Sequence, residues 1–132
     1  MRLTHLADYA VVMMTAAARR EPGERLSATI LSEETGVPLP TAQKLMQSLG
    51  RAGLLTGQRG AGGGYLLARP VSEISLADIV EAVEGPIALT QCSEGASDCA
   101  LDAHCKVKPH MGLVGEKVRG ALGAVSLKEL SQ

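Results

Sequence analysis

The sequence has no tryptophan, no phenylalanine and only two tyrosines. An aromatic core is therefore excluded. Any core must be built from Leu, Val, Ile, Ala and Met, within the 45% of residues that are hydrophobic. No run of about 18 apolar residues occurs, which excludes a membrane-spanning helix and with it a membrane partner. The opening Met1-Arg2-Leu3-Thr4-His5 lacks the apolar stretch and cleavage site of a secretory signal, so a cytoplasmic location is expected. Three cysteines, an odd number, argue against a closed disulfide framework. No G-x-S-x-G, H-E-x-x-H or Walker pattern backs up pairs such as Ser93 and His104, so the chain is not read as an enzyme.

What is present is a segmented charge. The net charge is −1, but residues 1–70 carry eight Lys/Arg against five Asp/Glu. Residues 71–105 carry seven acids and no Lys or Arg, and residues 106–132 carry five bases and two acids. From Thr35 to Ser72 there is no acidic residue, while Lys44, Arg51, Arg59 and Arg69 lie in that window. Such a local excess suits a polyanion partner.

Helical spacing of Leu6, Ala10, Met13, Met14 and Ala17 predicts a first helix from His5 to Arg20. Ser27 is a fitting N-cap for a short helix ending near Gly36. Pro40 suits the first turn of a third helix, Pro40–Ala52, with Ala42, Leu45, Met46 and Leu49 inward and Gly53 as its stop. Two strands, Leu54–Arg59 and Tyr65–Ala68, flank a glycine turn. Ser75 with Asp78 resembles a capping box and opens a helix over Leu76–Glu84 with Leu76, Ile79, Val80 and Val83 inward. From Pro109, a long helix carries Met111, Val114, Val118, Leu122 and Val125 in an approximate heptad seam, before a short tail from Leu127 to Leu130. The expected fold is mainly α with a small β wing: a winged helix-turn-helix head plus a long C-terminal dimerisation helix. Residues 1–84 form the DNA-binding head with its following helix, 85–108 a cysteine-containing loop, and 109–132 the dimerisation helix and tail.

In a helix-turn-helix the second helix enters the major groove of double-stranded DNA. Here its outward face holds Thr41, Gln43, Lys44, Gln47, Ser48 and Arg51, with no carboxylate. Gln43 and Gln47 can pair with adenine and Lys44 with guanine, while Thr41, Ser48 and Arg51 suit phosphates. Arg59 sits where a wing would insert it into a narrow minor groove, and the adjoining Gly60 allows close backbone approach. Arg2 joins this DNA-facing set. An ordinary amphipathic helix would also show a polar outer face. The helix order, the acid-free window and the basic glycine wing favour DNA.

Cys92, Cys99 and Cys105 are separated by six and five residues in one loop. This spacing is too wide for the paired C-x₂-C of structural zinc sites. Three thiolates grip a metal or cluster from one side, and a fourth ligand must come from elsewhere or stay open. His104 and His110 are nearby candidates. Asp8 is a distant one, within reach only if a partner subunit brings its first helix alongside. A cluster-free thiol sensor and a structural zinc protein are competing readings. Glu94, Asp98 and Asp102 among the cysteines disfavour reactive thiolates.

These residues carry a resemblance across essentially the whole chain. Met1-Arg2-Leu3-Thr4, Tyr9-Ala10, Ala52-Gly53-Leu54-Leu55, Arg59-Gly60-Ala61-Gly62-Gly63-Gly64-Tyr65, Ile74-Ser75-Leu76-Ala77-Asp78-Ile79-Val80 and the three cysteines resemble the Rrf2 family of bacterial winged-helix regulators. Leu6-Ala7-Asp8-Tyr9-Ala10, Leu39-Pro40-Thr41-Ala42-Gln43-Lys44-Leu45 and Glu84-Gly85-Pro86-Ile87-Ala88-Leu89 are most similar to its SUF-system iron–sulfur assembly regulators. The resemblance implies a homodimeric, DNA-binding transcriptional repressor that senses iron–sulfur cluster status and controls cluster-assembly or iron-homeostasis genes. A nitric-oxide-responsive or cluster-free thiol regulator is the alternative. It also implies that Cys92, Cys99 and Cys105 bind an iron–sulfur cluster. One branch of the family uses a histidine three residues after the last cysteine, where this chain has Lys108. Another uses an aspartate of the partner's first helix, where this chain has Asp8. The resemblance therefore favours Asp8 over His110, and a 4Fe–4S cluster over 2Fe–2S. Some relatives carry a glutamate where this chain has Gln43, so the DNA-facing surface differs by a carboxylate.

Overall fold

A computed structural model of the protein describes residues 2–59, 64–87 and 108–132. The elements are α1 (His5–Ala18), α2 (Ala28–Thr35), α3 (Leu39–Arg51), β1 (Leu55–Gln58), β2 (Gly64–Leu67), a 3₁₀ turn (Val71–Glu73), α4 (Leu76–Glu84), α5 (Lys108–Gly123) and α6 (Leu127–Leu130). None of these helices is long and apolar enough to cross a membrane.

Local chemistry explains most boundaries. The Thr4 hydroxyl caps α1 by accepting the Ala7 N–H at 3.1 Å, and the Ser27 hydroxyl caps α2 by accepting the Ile30 N–H at 3.1 Å. Gly36 ends α2 at φ +85°. The turn into α3 is tied by the Ser32 hydroxyl, which donates to the Val37 carbonyl at 2.6 Å. At the other end of α3 the Leu54 N–H donates to the Leu49 carbonyl and the Gly53 N–H to the Gly50 carbonyl, with Gly53 at φ +81°. This is a Schellman termination. It places buried Leu54 against buried Leu49 and delivers the chain straight into β1.

The two strands pair antiparallel, with Leu55 opposite Leu67 and Gln58 opposite Gly64. On the outer side of β2, Leu26 and Tyr65 exchange backbone hydrogen bonds of 2.7 Å in both directions. A Cβ on Gly64 would lie 2.5 Å from the Leu26 carbonyl oxygen, and Gly64 has φ +110°. Glycine is needed there for close approach as well as for conformation.

The core joins Ala10, Met13, Met14 and Ala17 of α1 to Leu31, Val37, Leu45, Met46, Leu49, Leu54 and Ile79. Ser75 and Asp78 form the expected capping box at α4. The chain end returns to this point: the Leu76 N–H donates to the Val125 carbonyl at 2.8 Å and the Leu127 N–H to the Ile74 carbonyl at 2.7 Å. Leu127 is fully buried. α5 packs along α4, with Arg119 paired to Glu81 at 2.5 Å.

Three expectations need correction. Leu6 is 49% exposed, and its neighbour Ala7 takes the buried position because that side of the first turn meets the core. α1 stops at Ala18, with Arg19 as its C-cap, not at Arg20. On α4, Leu76 is only half-buried and Ala77 is fully buried, while Val83 packs partly buried against the core as expected.

Candidate nucleic-acid interface

α3 separates its residues sharply. Ala42, Leu45, Met46 and Leu49 are buried, whereas Gln43, Lys44, Gln47 and Arg51 are exposed and Thr41 and Ser48 are half-buried. Four polar or basic side chains therefore share the open face of one rigid helix. Arg59 is exposed just beyond the end of β1. Gly60 lies outside the described residues. Arg2 is exposed in the segment leading into α1.

Three basic residues away from the outward face of α3 are paired with carboxylates. Arg20 is held by Glu24 at 2.9 Å and Glu34 at 2.5 Å. The Glu24 hydrogen bond, with the charges of both carboxylates, raises the Arg20 pKa further above its ordinary value, against the cost of burial. Arg69 lies 3.8 Å from Asp78, and Arg119 is paired with Glu81. Lys44, Arg51 and Arg59 have no carboxylate partner among the described residues.

Between α3 and the wing runs an open groove of about 450 Å³, lined by Gln47, Gly50, Arg51, Leu55, Gly57 and Tyr65. The sequence marks Tyr65 only as a strand residue. Its ring lies between the two walls: a Cβ on Gly50 would be 3.5 Å from Tyr65 Cε1, and one on Gly57 3.8 Å.

The expected metal ligands divide. Cys92, Cys99, Cys105 and His104 lie outside the described residues. Asp8 is exposed in the first turn of α1, with no ion pair among the described residues. Thr4, which caps that turn, also donates its hydroxyl to the Glu84 carboxylate at the end of α4. His110 is exposed in the first turn of α5. Among the described residues no three His, Cys, Asp or Glu side chains gather to hold a metal.

The family model Rrf2, described as an iron-dependent transcriptional regulator, matches residues 3–132. The chain belongs to the Rrf2 family. Among Rrf2 relatives, the transcriptional regulator IscR of Photorhabdus laumondii is 32% identical over 130 residues, which span 98% of this chain and 79% of that protein. The solved structure of T. potens IscR superposes with a TM-score of 0.71 at 25% identity, over 98% of this chain and 85% of that one. The oxidized form of Staphylococcus aureus CymR gives a TM-score of 0.71 at 26% identity, over 100% of this chain and 97% of that one. The winged-helix fold expected from the sequence is thus the family's fold. As an Rrf2 protein the chain is a DNA-binding transcriptional regulator and not an enzyme.

Proposed function

We propose that this Rrf2 protein is a homodimeric repressor. It binds operator DNA through α3 and the wing, and its DNA affinity responds to an iron–sulfur cluster. The observation that carries the DNA face is Lys44, Arg51 and Arg59, without a carboxylate partner among the described residues, beside Gln43 and Gln47 and opposite a fully buried apolar face. Gln43, Gln47 and Lys44 read base edges; Thr41, Arg51 and Arg2 hold phosphates; Arg59 with Gly60 enters the minor groove. Supporting the dimer, Leu3, Leu6 and Val12 at α1 and Leu113 and Val114 on α5 are large apolar side chains left exposed in the single chain. A two-fold dimer would set its recognition helices about 34 Å apart, matching a near-palindromic site.

For the cluster, Cys92, Cys99 and Cys105 with Asp8 of the partner subunit make three thiols and a carboxylate, the four donors such a group takes. An exposed Asp8 with no ion pair among the described residues fits that use. When bound, a cluster supplies sensitivity to iron, oxygen or nitric oxide; 4Fe–4S is the favoured type. Resemblance to the SUF-system regulators and to IscR supports cluster-assembly or iron-homeostasis genes as targets.

The test is an absorption spectrum with iron and acid-labile sulfide analysis on protein purified without oxygen. Matched iron and sulfide are expected, with the ratio per dimer giving the cluster type. Asp8→Ala should leave the dimer intact and make the cluster labile. Protein that stays colourless after anaerobic reconstitution would sink the cluster reading. A cluster-free thiol switch would then stand, favoured by the likeness to a CymR solved in an oxidized form.

A further inference from the structure

We propose that the groove between the last turn of α3 and the wing holds one backbone phosphate of bound duplex, with Arg51 as its cation and the Tyr65 hydroxyl as a second donor. The inference rests on α3 and the wing forming the DNA face, and it adds a site between the two reading elements.

Adjacent grooves of a duplex are separated by one sugar–phosphate strand. A protein that places a helix in one groove and a hairpin in the next must therefore let that strand cross the space between them. Here that space is the open groove of about 450 Å³ lined by Gln47, Gly50, Arg51, Leu55, Gly57 and Tyr65. Its lining contains a guanidinium, an amide and a phenol and no carboxylate, which is the composition an anion requires. Arg51 is exposed and has no carboxylate partner among the described residues.

Tyr65 is positioned more firmly than a surface phenol normally is. Its backbone is fixed to Leu26 by hydrogen bonds of 2.7 Å in each direction. Its ring lies beside Gly50 on α3 and Gly57 on β1, with Tyr65 Cε1 at ordinary contact distance, 3.5 and 3.8 Å, from where a Cβ on each would sit. The hydroxyl has no hydrogen-bond partner among the described residues and is not a buried unsatisfied group, so it faces solvent. A donor held in place at low entropic cost is the kind that repays a phosphate contact.

Packing alone is the competing account of Tyr65, and Tyr65→Phe separates the two because it keeps the ring. The probe is a 30-base-pair duplex of mixed sequence, bound by the full-length protein and followed by fluorescence anisotropy between about 50 and 200 mM salt. Variants are Arg51→Gln, Tyr65→Phe and Lys44→Gln, the last reporting on the face as a whole. Arg51→Gln should lower the slope of log K against log salt by about 0.9 for each head engaged. Tyr65→Phe should weaken binding about three- to tenfold, with the slope and the thermal unfolding curve unchanged. If Lys44→Gln weakens binding while Arg51→Gln and Tyr65→Phe bind like the parent, the phosphate site is wrong and the DNA face stands. If all three bind like the parent, the DNA face is wrong as well.

Discussion

Replacing Gly64 by alanine sets a methyl group 2.5 Å from the Leu26 carbonyl oxygen, on a backbone held at φ +110°. Two penalties then act together. The dihedral is one that side chains rarely adopt, at a cost of about 1–2 kcal/mol. The clash is with backbone, which cannot rotate away, so relief requires parting the Leu26–Tyr65 pair and its two hydrogen bonds. Each bond contributes about 0.5–1.5 kcal/mol. The reduced freedom of the unfolded chain offsets about 0.4–1 kcal/mol. The expected loss for Gly64→Ala is therefore about 2–4 kcal/mol. Gly53 supplies the control: it has φ +81° and nothing within 4 Å of an added Cβ, so Gly53→Ala should cost only the dihedral, about 1 kcal/mol. Gly57, with ordinary contact at 3.8 Å and no positive φ, should tolerate alanine at less than about 0.5 kcal/mol. Urea unfolding followed by far-ultraviolet circular dichroism measures all three, because the helices carry the signal. If Gly64→Ala costs no more than Gly53→Ala, the Leu26 carbonyl does not confine the wing and the close-approach argument fails.

Three further outcomes follow from the same packing and charges. Leu127→Ala should lose about 2–5 kcal/mol of unfolding free energy, since Leu127 is fully buried; a loss below about 1 kcal/mol would show that the tail is not part of the core. Ser75→Ala removes the acceptor for the Asp78 N–H and should cost about 1 kcal/mol, seen as a lower urea midpoint with an unchanged slope. Arg59→Ala should weaken duplex binding and reduce its salt slope by about 0.9 for each phosphate it ceases to neutralise; unchanged slope and affinity would remove Arg59 from the interface.

The helices are legible in the sequence because their signals are local. Ser27, Ser75 and Gly53 act within four residues of themselves, and the buried set of α3 repeats at helical spacing. Leu6 departs from its expected burial because Leu6 and Ala7 both fit the period of the first helix. Only the elements packed there decide which turns inward. The glycine run is legible as a hairpin tip, but the need for Gly64 comes from Leu26, which is far away in sequence. Tyr65 is opaque for the same reason, since its neighbours Gly50, Gly57 and Leu26 come from three separate parts of the chain. The tail gives no hint that Val125 and Leu127 pair with the backbone around Ser75. At the interface, the sequence shows which α3 side chains face outward and that the region lacks acids. Which carboxylates are engaged elsewhere, as Glu34 is by Arg20, is a tertiary fact that the sequence does not show.

The packing of α5 on α4 bears on the thermodynamics of the cysteine segment between them. α5 lies along α4, close enough that a Cβ on Gly115 would be 3.8 Å from the Ile87 carbonyl oxygen and one on Gly123 3.9 Å from Ala77 Cβ, and Arg119 reaches Glu81. The flanks of residues 88–107 are thus anchored to one another by the fold. Closing a free segment of this length would cost about 2–3 kcal/mol of chain entropy. Here that cost falls on folding, because α4 and α5 already hold the two ends together. Losing the Arg119–Glu81 pair alone, worth about 0–1 kcal/mol, would leave that anchoring in place; only parting α5 from α4 would return the closure cost to the segment.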